Sequence, residues 1–322
     1  MKDVTNDPAA LAEAADAEDW RLLMEDIAEE RGYFDALGDA HAALFSEAGD
    51  TLIVTFENAE TIRGARAQQQ PLGWALTRGT DWSSLVLLSE GRTWFRDPHV
   101  YAYFDRLVDD GFFDEYDRIV FVGAGAEGYA AAAFSVVALD VTVLTFAPQA
   151  TLDTAVAGWD RRHPAARRRD FTSRYGYAPD MIEAAAAAWV FYDPSIAEDA
   201  MHATLFGQAG ARTVAVPDFG ADPARLVEDI GALDEIVGAA VAGRLGRATV
   251  ARALRRRRDS LPYLRRLLAR VQASQSPDRV IRLCHAVLRL HAAPRFRKAL
   301  AQAEQTLAET GRETGTSQSE NA

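Results

Sequence analysis

The sequence predicts an α/β protein: a parallel sheet of about six strands flanked by helices, followed by an all-helical C-terminal arm. Three observations predict it. Short apolar runs recur between stretches of helical character, as in sheets buried on both faces. A glycine-rich turn follows the third apolar run and opens an alanine-rich stretch. Beyond about residue 243 the apolar runs stop and only helical patterning remains.

In chain order, residues 10–30 read as a helix with Leu11, Leu22, Leu23 and Ile27 available for packing. The predicted strands are 51–56, 84–89, 118–123, 141–146, 189–193 and 212–216, the fourth and fifth ended by Pro148 and Pro194. Helices are predicted between them at about 98–110, 127–138, 179–188, 198–207 and 222–240. The arm reads as helices near 247–270, 278–292 and 294–310. Residues 311–322 are small and polar and read as a disordered tail. The expected division is therefore 1–243 for the sheet domain with its acidic N-terminal helix, 244–310 for the basic helices, and 311–322 for the tail.

A formal charge of −12 conceals two opposed regions. Residues 1–60 hold 16 acids and 3 bases, a net of −13; residues 244–298 hold 16 bases and 2 acids, a net of +14. Arg255, Arg256, Arg257 and Arg258 form one block. The arginines interleave with apolar residues at helical spacing, and no glycine-rich or aromatic-interleaved pattern accompanies them, so a nucleic-acid partner is disfavoured. A basic helical segment docked on an acidic body, or on a second subunit in a homo-oligomer, is the plainer reading. The lone Cys284 excludes an intrachain disulfide framework and a cysteine-only zinc site. Cys284, His285 and His291 do not share a metal-ligand spacing on one helical face, so no metal is expected. Asp140 and Pro148 interrupt the longest apolar candidate, and the acidic start lacks a signal-peptide layout; a soluble cytoplasmic protein is expected.

The turn Gly123-Ala124-Gly125-Ala126-Glu127-Gly128 admits three readings. Gly123, Gly125 and Gly128 spell G-x-G-x-x-G, the dinucleotide fingerprint that seats a pyrophosphate on a helix N-terminus. The same letters suit a nucleophile elbow, in which small residues let strand and helix pass closely. They also suit tight packing without any ligand. Against the dinucleotide reading, two strands precede the turn, the next strand closes on Ala147-Pro148-Gln149 without an acid, and Glu127 would face the phosphates.

The run from Gly123 through Tyr129, Ala130 and Ala131, followed by a strand closing on Pro148-Gln149, resembles the elbow and next strand of bacterial α/β-hydrolase-like proteins. Those read G-x-S-x-G-G-Y-A-A before an apolar strand and a Pro-Gln pair. The segments Thr93-Trp94-Phe95-Arg96-Asp97-Pro98 and Val190-Phe191-Tyr192-Asp193-Pro194, together with His202, also resemble members of that group, and the likeness spans roughly residues 50–240. The resemblance implies that the nucleophile position is Gly125, the acid Asp193, and the histidine position Ala221, so two of the three triad members are missing. It implies a degenerate, uncharacterised branch of the family.

Ligands of open parallel sheets gather at the carboxyl ends of the strands. Those ends carry Glu57 and Asn58, Ser89 and Glu90, residues 125–127, Gln149, Asp193 and Asp218. Glu57, Glu127 and Asp193 form a candidate carboxylate group. Ser89 is the alternative nucleophile and His202 the available imidazole. The function expected is therefore non-hydrolytic binding of a small molecule at the strand-end crevice or of a protein partner, with no cofactor. An acyl hydrolase or transferase with a displaced nucleophile and a dinucleotide-dependent oxidoreductase are the alternatives.

Overall fold

A computed structural model describes residues 8–65 and 67–319. One sheet contains eight strands: β1 (Gly32–Leu37), β2 (His41–Ser46), β3 (Thr51–Asn58), β4 (Ser83–Ser89), β5 (Arg118–Ala124), β6 (Thr142–Phe146), β7 (Ala187–Tyr192) and β8 (Arg212–Ala215). Their spatial order is β1-β2-β4-β3-β5-β6-β7-β8. Only β2 is reversed; it pairs antiparallel with β1 and β4, and all remaining pairs are parallel. With helices on both faces, this is an α/β fold of α/β-hydrolase-like architecture.

All six strands expected from the apolar runs are present. The hairpin β1–β2 is an addition to them. Its residues do not alternate cleanly, since β1 is mostly half-exposed and β2 almost wholly buried. Two glycines make the hairpin possible. Gly38 turns the chain at φ +68, and a Cβ on Gly32 would stand 2.5 Å from the Phe45 carbonyl oxygen across the pair.

Several helices differ from the sequence expectation. The first is Ala17–Arg31, capped by Asp16, and it buries Trp20, Met24 and Ile27 at helical spacing while Leu22 faces solvent. Residues 179–188 are not one helix: only Ala178–Met181 is helical, and Ala187 and Ala188 pair with Thr142 and Val143. Strand pairing there overrides the helix preference of alanine. Residues 222–240 split into Pro223–Asp229 and Leu233–Val241 at Gly231, which adopts φ +64. Residues 247–270 become Arg247–Ala253, a 3-10 turn at Leu254–Asp259, and Leu261–Ala273 with Ser260 as its cap. The last helix is Pro294–Ser319, so the polar stretch expected as tail continues the helix to residue 319. No proline follows Pro294, and an established helix propagates at the cost of one residue per hydrogen bond.

The buried residues of the sheet alternate between two faces, as strand geometry dictates. On β5, Ile119 and Phe121 face a core shared with Phe104 and the helix Gly125–Phe134. Val120 and Val122 face the other side, with Leu144, Trp189 and Ile236. That second apolar cluster continues through Leu254, Leu268, Cys284 and Phe296 of the C-terminal helices. Among the described residues, no helix is long and apolar enough to cross a membrane.

Phe121 is wholly buried in the central strand. Phe121→Ala is expected to lower the unfolding free energy by about 3–5 kcal/mol through lost burial and the cavity left behind. Urea unfolding followed by tryptophan fluorescence measures it.

Candidate functional site

The turn between β5 and the helix Gly125–Phe134 has the geometry of an elbow. The backbone leaves the strand at Ala124, with φ −132 and ψ 141, and reverses at Gly125, with φ +59. That left-handed conformation strains any residue with a Cβ. Space is a separate matter. A Cβ on Gly123 would lie 2.3 Å from the Glu127 carbonyl oxygen, and one on Gly128 would lie 3.1 Å from the Gly123 carbonyl oxygen. A Cβ on Gly125 would meet only the Glu127 carboxylate, at 4.0 Å. Gly123 and Gly128 are therefore demanded by close packing, whereas Gly125 stands where a side chain has room. Ala126 is buried and Ala124 half-buried beside them.

Two of the three expected carboxylates meet. Glu57, at the end of β3, and Glu127 line one cavity of about 80 Å³ with Glu228, which the sequence reading did not single out. Phe146, Leu72 and Leu233 close it. Metabolite pockets are several times larger, about 300–1,000 Å³. The crevice is narrow for a dinucleotide or for a small-molecule ligand of ordinary size. Glu57 is fully engaged: Oε1 accepts from Thr55 Oγ1 at 2.7 Å and from the Gly73 amide at 2.9 Å, and Oε2 accepts from the Leu72 amide at 2.7 Å. It thus caps the helix Leu72–Thr77, where a carboxylate meets the positive end of the helix. Glu127 is half-buried, and that burial pushes its carboxyl up to about 7. The Arg92 charge opposes the rise; Glu57 and Asp222 add to it.

Asp193 follows β7 but does not line this cavity. Its buried carboxylate accepts from the Ser195 amide and hydroxyl through Oδ1, at 2.9 and 2.7 Å. Oδ2 accepts from the Gly220 amide at 2.7 Å. Gly220 adjoins Ala221, so a backbone amide binds the acid where the family resemblance places an imidazole. The loop that presents it is held from outside. Arg270 makes a two-point ion pair with Asp218 at 2.7 and 2.9 Å, and Arg266 donates to the Phe219 carbonyl at 2.5 Å.

The remaining candidates have structural partners. The Ser89 hydroxyl is buried and donates toward the Gly91 and Glu57 carbonyls at 3.1 and 3.3 Å. Gln149 accepts from the Trp94 indole at 3.0 Å and donates to the Ala147 carbonyl at 3.3 Å, bracing a loop in which Trp94 and Phe95 adopt φ of +54 and +53. His202 is completely buried in the helix Ala197–Gln208. Its Nδ1 accepts from the Ala150 amide at 3.1 Å, which leaves the proton on Nε2 to bond Asp160 at 3.0 Å. Asp160 and Asp199 share Arg162, so His202 belongs to a buried network that holds the loop after β6. Among the described residues, no cluster of three or more His, Cys, Asp or Glu side chains is arranged to hold a metal ion.

The Ser195 contact was legible in the sequence, because an Asp two residues before a Ser closes an Asx turn. The Gly220 and Glu228 contacts were not; each joins segments remote in the chain.

No family model matches the sequence, and no curated protein matches it either. Solved structures of similar chain path include the acetyl ester-xyloside bifunctional hydrolase from Caldicellulosiruptor lactoaceticus, with a TM-score of 0.47 at 14% identity over 67% of this chain and 98% of that one. A Pyrobaculum calidifontis esterase gives 0.43 at 14% identity over 72% and 94%. Carboxyl esterase 2 from Tuber melanosporum gives 0.38 at 12% identity over 57% and 72%. Likeness at this level concerns the fold. It transfers no chemistry.

Two outcomes follow from the turn. Gly125→Ala is expected to cost about 1–2 kcal/mol from its backbone conformation alone. Gly123→Ala is expected to cost about 4 kcal/mol or more, because strand and helix must separate; chemical denaturation of both variants compares them. For Glu127, the folded-state value of about 7 stands above the ordinary carboxyl value of 4.5. Its contribution to stability is thus complete below about pH 4.5 and is lost as pH rises through about 7. Glu127→Gln removes the loss, and at pH 8 the variant is expected to exceed the parent by about 1–3 kcal/mol, with little difference at pH 4.5. Urea midpoints across that range read the effect.

Proposed function

We propose that this chain is a non-hydrolytic protein of α/β-hydrolase-like fold that acts by binding a partner. One observation carries the reading: the elbow keeps its backbone geometry at Gly125 but offers no nucleophile. Acyl transfer requires an oxygen or sulfur that attacks and a base that takes its proton. Gly125 supplies no such atom. The partners of Asp193 support the same reading, since Ser195 and the Gly220 amide already occupy the carboxylate that would orient a base. Ser89 is a poor replacement, because its hydroxyl is directed at carbonyl oxygens and no imidazole bonds it among the described residues. The narrowness of the elbow cavity favours a protein partner over a small molecule.

The purified protein is expected to take no label from a serine-reactive fluorophosphonate probe. Its hydrolysis of p-nitrophenyl acetate is expected to equal that of Asp193→Ala and to rise linearly with substrate. Gly125→Ser, which restores only one triad member, is expected to remain unlabelled. A labelled serine in the parent chain, with saturable turnover that Asp193→Ala abolishes, would overturn the proposal.

A further inference from the structure

A larger cavity, about 440 Å³, lies along the outer edge of the sheet. One wall is residues 213–217, the last three residues of β8 and the two after it; the other is formed by residues of the segment 247–258. Val216, Phe219, Val250 and Leu254 give it an apolar floor. Arg247, Arg255, Arg257 and Arg258 line it, and no carboxylate does. Arg247, Arg255 and Arg258 are exposed and make no ion pair among the described residues, whereas Arg252 and Arg256 of the same segment both pair with Glu235.

The backbone of β8 has an open side. Among the described residues β8 pairs only with β7, and the Val216 amide donates to the Tyr192 carbonyl at 2.8 Å. Backbone groups of successive strand residues point to opposite sides. The amides and carbonyls of Thr213 and Ala215 therefore face the cavity, away from β7. Unpaired edges of this kind accept an added strand.

Length decides what fits. Five strand residues extend about 16 Å, and the eleven steps from Arg247 to Arg258 extend about 16–20 Å along the helical segment. A compact anion reaches one end of such a row. An extended peptide reaches both, with side chains at alternate positions directed to one face. A second copy of β8 related by two-fold symmetry would set these arginines against their own counterparts, which charge disfavours. We propose that the open edge of β8 docks an extended acidic segment of a protein partner, which adds to the sheet as a further strand while its carboxylates meet Arg247, Arg255, Arg257 and Arg258. The site shares no lining residue with the elbow cavity and stands whatever chemistry Gly125 permits.

The test uses the full chain and a fluorescein-labelled decapeptide of alternating Glu and Val, with a Lys/Val decapeptide as control. Fluorescence anisotropy is expected to show saturable binding of the acidic peptide alone, weakened about tenfold between 50 and 200 mM salt. Hydrogen exchange is expected to slow at the Thr213 and Ala215 amides when the peptide binds. Arg255→Glu combined with Arg258→Glu is expected to reduce affinity more than tenfold. Ala215→Pro removes an outward amide without touching the β7 ladder; it is expected to weaken binding tenfold at an unchanged urea midpoint. Four results would overturn the proposal: equal binding of the Lys peptide, undiminished binding by Ala215→Pro, full displacement by equimolar pyrophosphate, or a stable dimer of the free protein with the β8 amides already protected.

Discussion

The passage from β5 into its helix is one of the tightest constraints among the described residues. At Gly123 the backbone of the helix approaches the strand so closely that a methyl group would stand 2.3 Å from the Glu127 carbonyl oxygen. Gly128 is confined less tightly from the helix side, where a Cβ would lie 3.1 Å from the Gly123 carbonyl oxygen and 3.3 Å from Pro148. This contact sets the height of the helix Gly125–Phe134 over the sheet. Its small buried residues, Ala130 to Ala133, then allow Phe104, Phe121 and Phe134 to fill the first core. The other strand ends are arranged around that fixed point. Glu57 on β3 and Glu127 on the helix share one cavity because their backbones are held there.

Several buried carboxylates are handled in the same way: they receive hydrogen bonds that replace water. Glu57 caps a helix, Asp193 holds the loop after β8, and Asp160 joins His202 to Arg162. Such groups brace loops more readily than they perform reactions, because their lone pairs are already occupied. Glu127 differs. It lacks a comparable set of donors, and its raised value reflects burial that hydrogen bonds do not compensate.

The basic C-terminal helices serve two ends. On one face they extend the apolar cluster of the sheet and clamp the loop 217–220 through Arg266 and Arg270, thereby fixing the amide that Asp193 accepts. Along the sheet edge, the same region leaves Arg247, Arg255 and Arg258 without a carboxylate partner among the described residues, beside the outer edge of β8. A segment whose charge were needed only for packing would have paired those arginines as it pairs Arg252, Arg256 and Arg270.

Much of the fold was legible in the sequence. Six apolar runs marked six strands because a parallel strand buried on both faces must be apolar throughout. The glycine spacing from 123 to 128 announced a close strand-to-helix turn, and at Gly123 no Cβ fits. Alanines 187 and 188 misled, since propensity is local and strand pairing is not. The β1–β2 hairpin was hidden because its residues lack a clear period. At the site, composition placed Glu57, Glu127 and Asp193 at strand ends but not their partners. The sequence by itself determined that position 125 carries no side chain. Only the tertiary structure decided that Asp193 binds a backbone amide, that His202 lies in a buried network, and that β8 has an open, arginine-lined edge. Such pairings join segments remote in the chain, and spacing along one strand or helix carries no record of them.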